Sequence, residues 1–228
     1  MAHVDAYYGN SRALRDCSLV VNAGELLSVL GRNGVGKTTL MRAILGLMSR
    51  TSGTIYLDGE DITARRTDER ARAGIGYVPQ GRGILPRFSV LENLRLGRFA
   101  NPRGDTGLEE EMLMLFPVLK EHLHRPGGNL SGGQQQQLAI ARALMTRPKV
   151  ILFDEPTEGI QPNIVEEIEE IIIRLNRERG LAIILVEQNV AFTRRAARRF
   201  VIMEKGSVAA TGATAELTDS LVHRYMAV

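Results

Sequence analysis

Cysteine is almost absent from these 228 residues: Cys17 stands alone, and tryptophan does not occur at all. A single thiol cannot close an internal disulfide, so packing has to hold the fold, and a reducing compartment is the natural setting. Cys17 itself reads as a small buried apolar residue. Four histidines and that cysteine form no close ligand-like grouping, which argues against a structural zinc site. Long hydrophobic runs are missing too. A run such as Leu181–Val186 falls far short of the ~20 apolar residues that cross a bilayer, so any membrane role has to come through partners. The opening residues, Met1 to Gly9, show no charged head followed by an apolar stretch, and no secretory signal is expected. The excess of positive over negative charge is also small. A formal charge of +3 is too small to imply nucleic acid as a partner. The basic residues are almost all arginine, densest at Arg194-Arg195-Ala196-Ala197-Arg198-Arg199, and that cluster reads as a solvated helix face rather than a polyanion site.

What remains is ordinary globular composition, 44% hydrophobic and 24% charged, at a length suited to one large domain or a core with a subdomain. Such a chain buries a substantial core unaided. Short apolar runs alternate with helical patterns, the signature of a parallel sheet flanked by helices. Leu26–Leu30 reads as a strand entering a glycine-rich turn, with a helix over Lys37–Met48 leaving it. Ser52–Gly59 alternates and ends in Asp-Gly, which predicts part of an antiparallel hairpin. Val150–Phe153 and Leu181–Val186 are fully apolar strands. Between them, Ile164, Ile168, Ile171, Ile172 and Leu175 share one face of a helix over Asn163–Arg179, with Asn163 as cap and Gly180 as stop. From Ser89 to Asn129 the texture changes: helical stretches at Val90–Leu96 and Leu108–Phe116 are broken by Asn101–Gly104 and Pro126–Gly128, a small helical insertion without a strand-like run.

Gly31-Arg32-Asn33-Gly34-Val35-Gly36-Lys37-Thr38 fits the phosphate-binding pattern of two glycines with four residues between them followed by Lys-Thr, between an apolar strand and a helix. Glycines let successive amides turn inward toward phosphate oxygens, and the following helix adds its positive end. Lys37 supplies a mobile cation for the β- and γ-phosphates, and Thr38 a hydroxyl for Mg²⁺. Asp154, at the end of an apolar strand, can hold Mg²⁺ through water, and the adjacent Glu155 can orient and deprotonate an attacking water.

Leu130-Ser131-Gly132-Gly133-Gln134, roughly 20 residues ahead of that acidic pair, adds a serine-headed helix opening on two glycine amides, a second anion site that the chain's own nucleotide does not need. Together these motifs resemble the ABC ATPases along essentially the whole chain. The resemblance implies an α/β fold: a P-loop NTPase (RecA-like) core, residues 1–88 and 130–228, with an antiparallel β subdomain and a small helical subdomain at 89–129. It implies ATP and Mg²⁺ as cofactors, with Gly31 to Thr39 cradling phosphate. Ser131, Gly132, Gly133 and Gln134 would cap the γ-phosphate held by an opposing subunit. It implies that Tyr8, or less readily Tyr7, stacks on adenine, although a plain strand tyrosine fits the pattern as well. Gln80, in Tyr77-Val-Pro-Gln80, resembles the glutamine that touches Mg²⁺ and water, beside a groove that receives a coupling helix from a membrane subunit.

Two departures refine the resemblance. The family usually has histidine in the switch after the last core strand. Here Leu185-Val186-Glu187-Gln188-Asn189 puts Gln188 there, able to donate to a phosphate but not to become cationic, which leaves Glu155 as base. After Glu155, Glu158-Gly159-Ile160-Gln161 replaces the usual Ser-Ala-Leu-Asp. Val-Glu-Gln-Asn in the switch resembles the ATPases of branched-chain amino acid importers. Pro156–Pro162 and the Gln134–Gln137 run look most like the urea-importer branch. That resemblance implies an importer for urea, or else for branched-chain amino acids or short amides. Its parts would be permease subunits, a second related ATPase or a self-dimer, and an external solute-binding protein that this chain meets only indirectly. The chain would then lie on the cytoplasmic face of the inner (plasma) membrane. DNA-repair, chromosome and ribosome-associated ATPases of this family carry long coiled coils or two cassettes in one chain, and neither is present here. A nucleotide sensor without catalysis is disfavoured by the presence of Lys37, Asp154 and Glu155.

Overall fold

A computed structural model describes residues 1–100 and 107–226. Strands β1 (Ala2–Tyr8) and β2 (Ser11–Cys17) form an antiparallel ribbon. Strand β3 (Leu26–Leu30) runs into the glycine loop, helix α1 (Lys37–Ile44) leaves it, and β4 (Arg50–Thr54) returns to pair with β1. Strands β5 (Tyr56–Leu57) and β6 (Glu60–Asp61) make a hairpin about Asp58-Gly59, as the dipeptide predicts. Then come α2 (Thr67–Ala73), β7 (Ile75–Val78), α3 (Val90–Leu96), α4 (Leu108–Leu115), α5 (Pro117–Lys120) and α6 (Gly132–Leu144). The chain closes with β8 (Val150–Asp154), α7 (Pro162–Arg177), β9 (Ala182–Val186), α8 (Val190–Ala196), β10 (Arg199–Glu204), β11 (Ser207–Ala213) and α9 (Asp219–Met226).

The main sheet has the order β11-β10-β3-β9-β8-β7 and is parallel except for β11. Every residue of β3, β8 and β9 is buried, which is why those segments read as continuous apolar runs instead of alternating ones. Alternate side chains feed two cores. Leu27, Val29, Leu152, Ile184 and Val186 pack with α1 and the β1–β2–β4 sheet. Leu26, Ile151, Phe153, Ile183 and Leu185 pack with α6, α7 and α8. Each fully buried side chain of this size contributes about 1.5–3 kcal/mol, so both faces of the sheet are strongly held. The carboxyl ends of β3, β8 and β9 therefore form a rigid edge, the usual place for a ligand in a sheet of this kind. Among the described residues no helix is long and apolar enough to cross a membrane.

Three expectations need correction. Helix α1 stops at Ile44, not Met48. Buried Arg70, from α2, donates to the last carbonyls of that helix, Ala43 at 2.9 Å and Ile44 at 2.7 Å. Leu47 N–H folds back to Arg42 O at Gly46, where φ is +73°. Helix α7 begins at Pro162, with Gln161 as the flanking residue, so Asn163 is not its cap; proline at the first helical position fixes φ and spares an orphan N–H. The arginine cluster is a solvated helix face only in part: Arg194 and Arg195 are exposed on α8, but Arg198 and Arg199 lie beyond its end. Arg194 pairs with Asp219, Arg195 with Glu169, and Arg199 with Glu25; among the described residues no acid pairs with Arg198. The expected break at Asn101–Gly104 lies outside the described residues.

Candidate functional site

Three loops meet at the carboxyl edge of the sheet. The loop after β3 carries Gly31 to Gly36. Gly36 precedes α1 with φ +110°, a backbone state that side chains with a Cβ rarely adopt, and it lets the turn close onto the helix. Asn33, Gly34, Gly36, Lys37, Thr38, Thr39, Gln80 and Glu155 enclose a cradle of about 290 Å³. The Lys37 side chain bends back into the loop, where its Nζ donates to Gly31 O at 2.8 Å and Arg32 O at 3.0 Å. Val35 points away from the cradle into the core. Arg32 and Asn33 also line a neighbouring cleft shared with Gln188 and α9.

Asp154, the last residue of β8, is fully buried. Its two oxygens accept from Thr38 Oγ1 and Tyr77 Oη, each at 3.3 Å. Burial pushes its carboxyl above the ordinary range; the Thr38 hydroxyl pulls it part-way back and the Glu155 charge pushes it up again. A hydroxyl beside a carboxylate is an all-oxygen donor set suited to a hard cation such as Mg²⁺. Bound there, such a cation would neutralise phosphate charge.

Glu155 begins the loop after β8 with φ +48°, held by its N–H on Val186 O at 3.0 Å. Its carboxylate lies between two donors, Lys37 Nζ at 3.2 Å and Gln188 Nε2 at 3.0 Å. The sequence suggests that Gln188 donates to a phosphate; in the fold its amide donates to the Glu155 carboxylate. Gln80 faces the cradle, and its amide nitrogen donates to Glu158 at 2.7 Å. Its carbonyl oxygen is the atom left to face a metal or water.

The remaining expected residues lie apart from the cradle. Tyr8, 44% exposed, presents its ring at the end of β1 with the Arg42 guanidinium 5.7 Å from its centroid. Tyr7 is covered by Arg50 at 3.9 Å, which makes Tyr8 the freer aromatic face. Ser131 caps α6 through a capping box: its Oγ accepts from Gln134 N–H at 3.3 Å, and Gln134 Oε1 accepts from Ser131 N–H at 3.0 Å. Gly133 lies where a Cβ would run into Ile164 of α7, so the serine-headed end of α6 stays close to the core. None of residues 131–134 lines the cradle.

Sequence reading missed two supporting side chains. Tyr77, which the sequence marks only as a member of Tyr77-Val-Pro-Gln80, holds the second oxygen of Asp154. Glu187, 4% exposed, accepts from Thr157 Oγ1 at 2.9 Å and from Gln188 N–H at 3.1 Å, and so joins the loop after Glu155 to the switch. A carboxylate directly after an apolar strand was the available signal. Burial pushes the Glu187 carboxyl upward, and the hydroxyl and amide contacts only partly oppose it. A raised folded value means that the native state keeps a proton the unfolded chain gives up. That stabilisation is complete below the unfolded value of about 4.3 and disappears as pH rises through the folded one. Glu187→Gln should therefore gain stability relative to the parent as pH rises from acid toward neutral. Urea-unfolding curves at several pH values measure the difference, and a pH-independent gap would refute it.

The ABC transporter family model matches residues 14–158. The high-affinity branched-chain amino acid transport ATP-binding protein BraG of Pseudomonas aeruginosa is 41% identical over 206 residues, 90% of this chain and 88% of that protein. The lipopolysaccharide export system ATP-binding protein LptB of Escherichia coli is 39% identical over 225 residues, 95% of this chain and 91% of that protein. Among solved structures, the dimeric post-hydrolysis state of the ATP-binding cassette MJ0796 bound to ADP and Pi superposes with a TM-score of 0.81 at 28% identity, covering 93% of this chain and 97% of that one. This chain belongs to the ABC transporter family, as one of its ATP-binding, ATP-hydrolysing subunits.

Proposed function

We propose that this chain energises import of branched-chain amino acids or short amides, with the urea reading in second place. What carries the choice of solute class is the 41% identity to BraG over nine-tenths of this chain; the 39% identity to an export subunit shows how little of the solute is written in an ATPase. Residues Gly31 to Thr39 take the triphosphate, Tyr8 takes adenine, and Thr38, Asp154 and Gln80 are the groups for Mg²⁺. Glu155, held by Lys37 and Gln188 at the mouth of the cradle, is the base. Ser131 to Gln134 cap the nucleotide of the opposing chain, which is a second copy or a related ATPase.

Residues 1–88 and 130–228 act as the nucleotide core and 89–129 as the moving helical part. Between them a groove of about 420 Å³, lined by Leu47, Tyr77, Leu85, Leu96 and Ala143 among others, suits an apolar coupling helix from a permease, and with that helix docked the chain would lie on the cytoplasmic face of the inner membrane. Leu47 and Leu85 are 47% and 39% exposed, an apolar surface that a partner would cover.

Uptake of labelled leucine, acetamide and urea by cells lacking this subunit tests the reading. Loss of leucine or acetamide uptake with normal urea uptake supports it. Loss of urea uptake alone restores the urea assignment, and normal uptake of all three rejects import of these solutes.

A further inference from the structure

We propose that Arg82 couples the two nucleotide sites of the paired ATPases, as a positioning residue that binds the Ser131 end of α6 to the loop following Glu155. The proposal rests on the reading that Ser131 to Gln134 cap the opposing chain's nucleotide.

Arg82 occupies an unfavourable backbone position. Gly81, Arg82 and Gly83 are left-handed in succession, with φ +74°, +71° and +60°. The two glycines adopt this freely, whereas a residue with a Cβ is strained there. The main chain of the turn does not require arginine, since the bond from Arg82 N–H to Pro79 O at 3.0 Å is open to any residue but proline. The compensating interactions lie in the side chain.

That side chain reaches two segments far away in sequence. Arg82 Nη1 donates to Gln135 Oε1 at 3.0 Å, and Nη2 donates to Gly159 O at 3.2 Å. The guanidinium lies against Gly132, where a Cβ would come within 3.0 Å of Nη2. Gln135 is itself fixed: its amide nitrogen donates to Leu130 O at 3.1 Å and lies 3.4 Å from the carbonyls of Gly127 and Gly128. Arg82 thereby holds the chain that enters α6. On its other side, Gly159 follows Glu158, which accepts from Gln80 and whose N–H reaches Glu155 O at 3.2 Å. Gln80 and Arg82, two residues apart, thus grip neighbouring residues of one loop. From the far end of α6, Arg142 donates to Gly83 O at 2.7 Å, so the same turn holds that helix at both ends.

A shift of Gln80 or of the Glu155 loop, both in contact with the chain's own nucleotide site, therefore carries the Ser131 end with it. That end serves the other nucleotide. Arginine is the residue for this task, because its planar fork bridges two acceptors in fixed directions and a lysine ammonium does not.

The test uses the complex purified through a tag on this chain, with Arg82→Ala, Arg82→Lys, Gln135→Ala and the Arg82/Gln135 double alanine variant, and Ser131→Arg as control. If Arg82 positions the capping end, Arg82→Ala raises the ATP concentration for half-maximal hydrolysis by about tenfold, equivalent to about 1.4 kcal/mol, and brings the Hill coefficient toward one. Affinity of the single chain for a fluorescent ATP analogue stays at the parent value, a split that general loss of structure would not produce. Arg82→Lys does not rescue, Gln135→Ala has the same effect, and the double variant is no worse than either. The proposal is overturned if Arg82→Ala keeps the parent's ATP dependence while Ser131→Arg abolishes hydrolysis. It is also overturned if Arg82→Ala weakens analogue binding and hydrolysis alike. If Ser131→Arg hydrolyses normally, the capping reading fails and this proposal falls with it.

Discussion

Glu155→Gln is expected to lower ATP turnover by about 10²- to 10⁴-fold, leave ATP binding intact and hold the paired chains closed. An amide cannot take a proton from water, and in the switch Gln188 cannot take over that duty. The substitution also removes a negative charge from the mouth of a site built for an anion, so affinity is not expected to fall. In the structure Glu155 is 3.2 Å from Lys37 Nζ. On the proposed mechanism, arriving phosphate would compete for that ammonium and release the carboxylate to face water. Single-turnover hydrolysis together with size-exclusion chromatography in ATP reads both halves of the result. Turnover at the parent rate would remove Glu155 from the role of base.

Lys37→Ala is expected to weaken ATP binding by roughly a hundredfold or more, because two phosphate groups lose a buried cation. Lys37 is only 5% exposed, and its ammonium is already aimed by two loop carbonyls, so little order has to be created when phosphate arrives. Equilibrium binding of a fluorescent ATP analogue is the direct measurement. Unchanged affinity with slower hydrolysis would mean that the loop amides alone hold the nucleotide and that Lys37 acts on the reacting phosphate only.

The parts of the fold that could be read from sequence are those whose causes are local. Helix α3 runs over Val90–Leu96 as expected because Ser89 and Glu92 form a capping box within four residues. The cradle and Asp154 are specified by a strand, a turn and a helix in immediate succession. Long-range causes were hidden. The end of α1 is set by Arg70, more than twenty residues downstream. The arginine cluster finds its acids on α7, on α9 and ahead of β3. The start of α7 is also a local matter, since proline favours a first helical position and Pro162, not Asn163, marks it. Arg82 gave no sign in the sequence, because its partners Gln135 and Gly159 converge only after folding.

Arg70 touches neither the cradle nor the groove, yet it gathers the carbonyls of Thr63, Arg65, Ala43 and Ile44 around one guanidinium. It is the rear bearing of α1, and the front of that helix is what points at the triphosphate. A slack bearing turns a distant loss of anchorage into poor aim. Genetic selections for inactive pumps would thus return Arg70 alongside the nucleotide-binding residues, and the defect would be mistaken for chemistry when it is one of alignment.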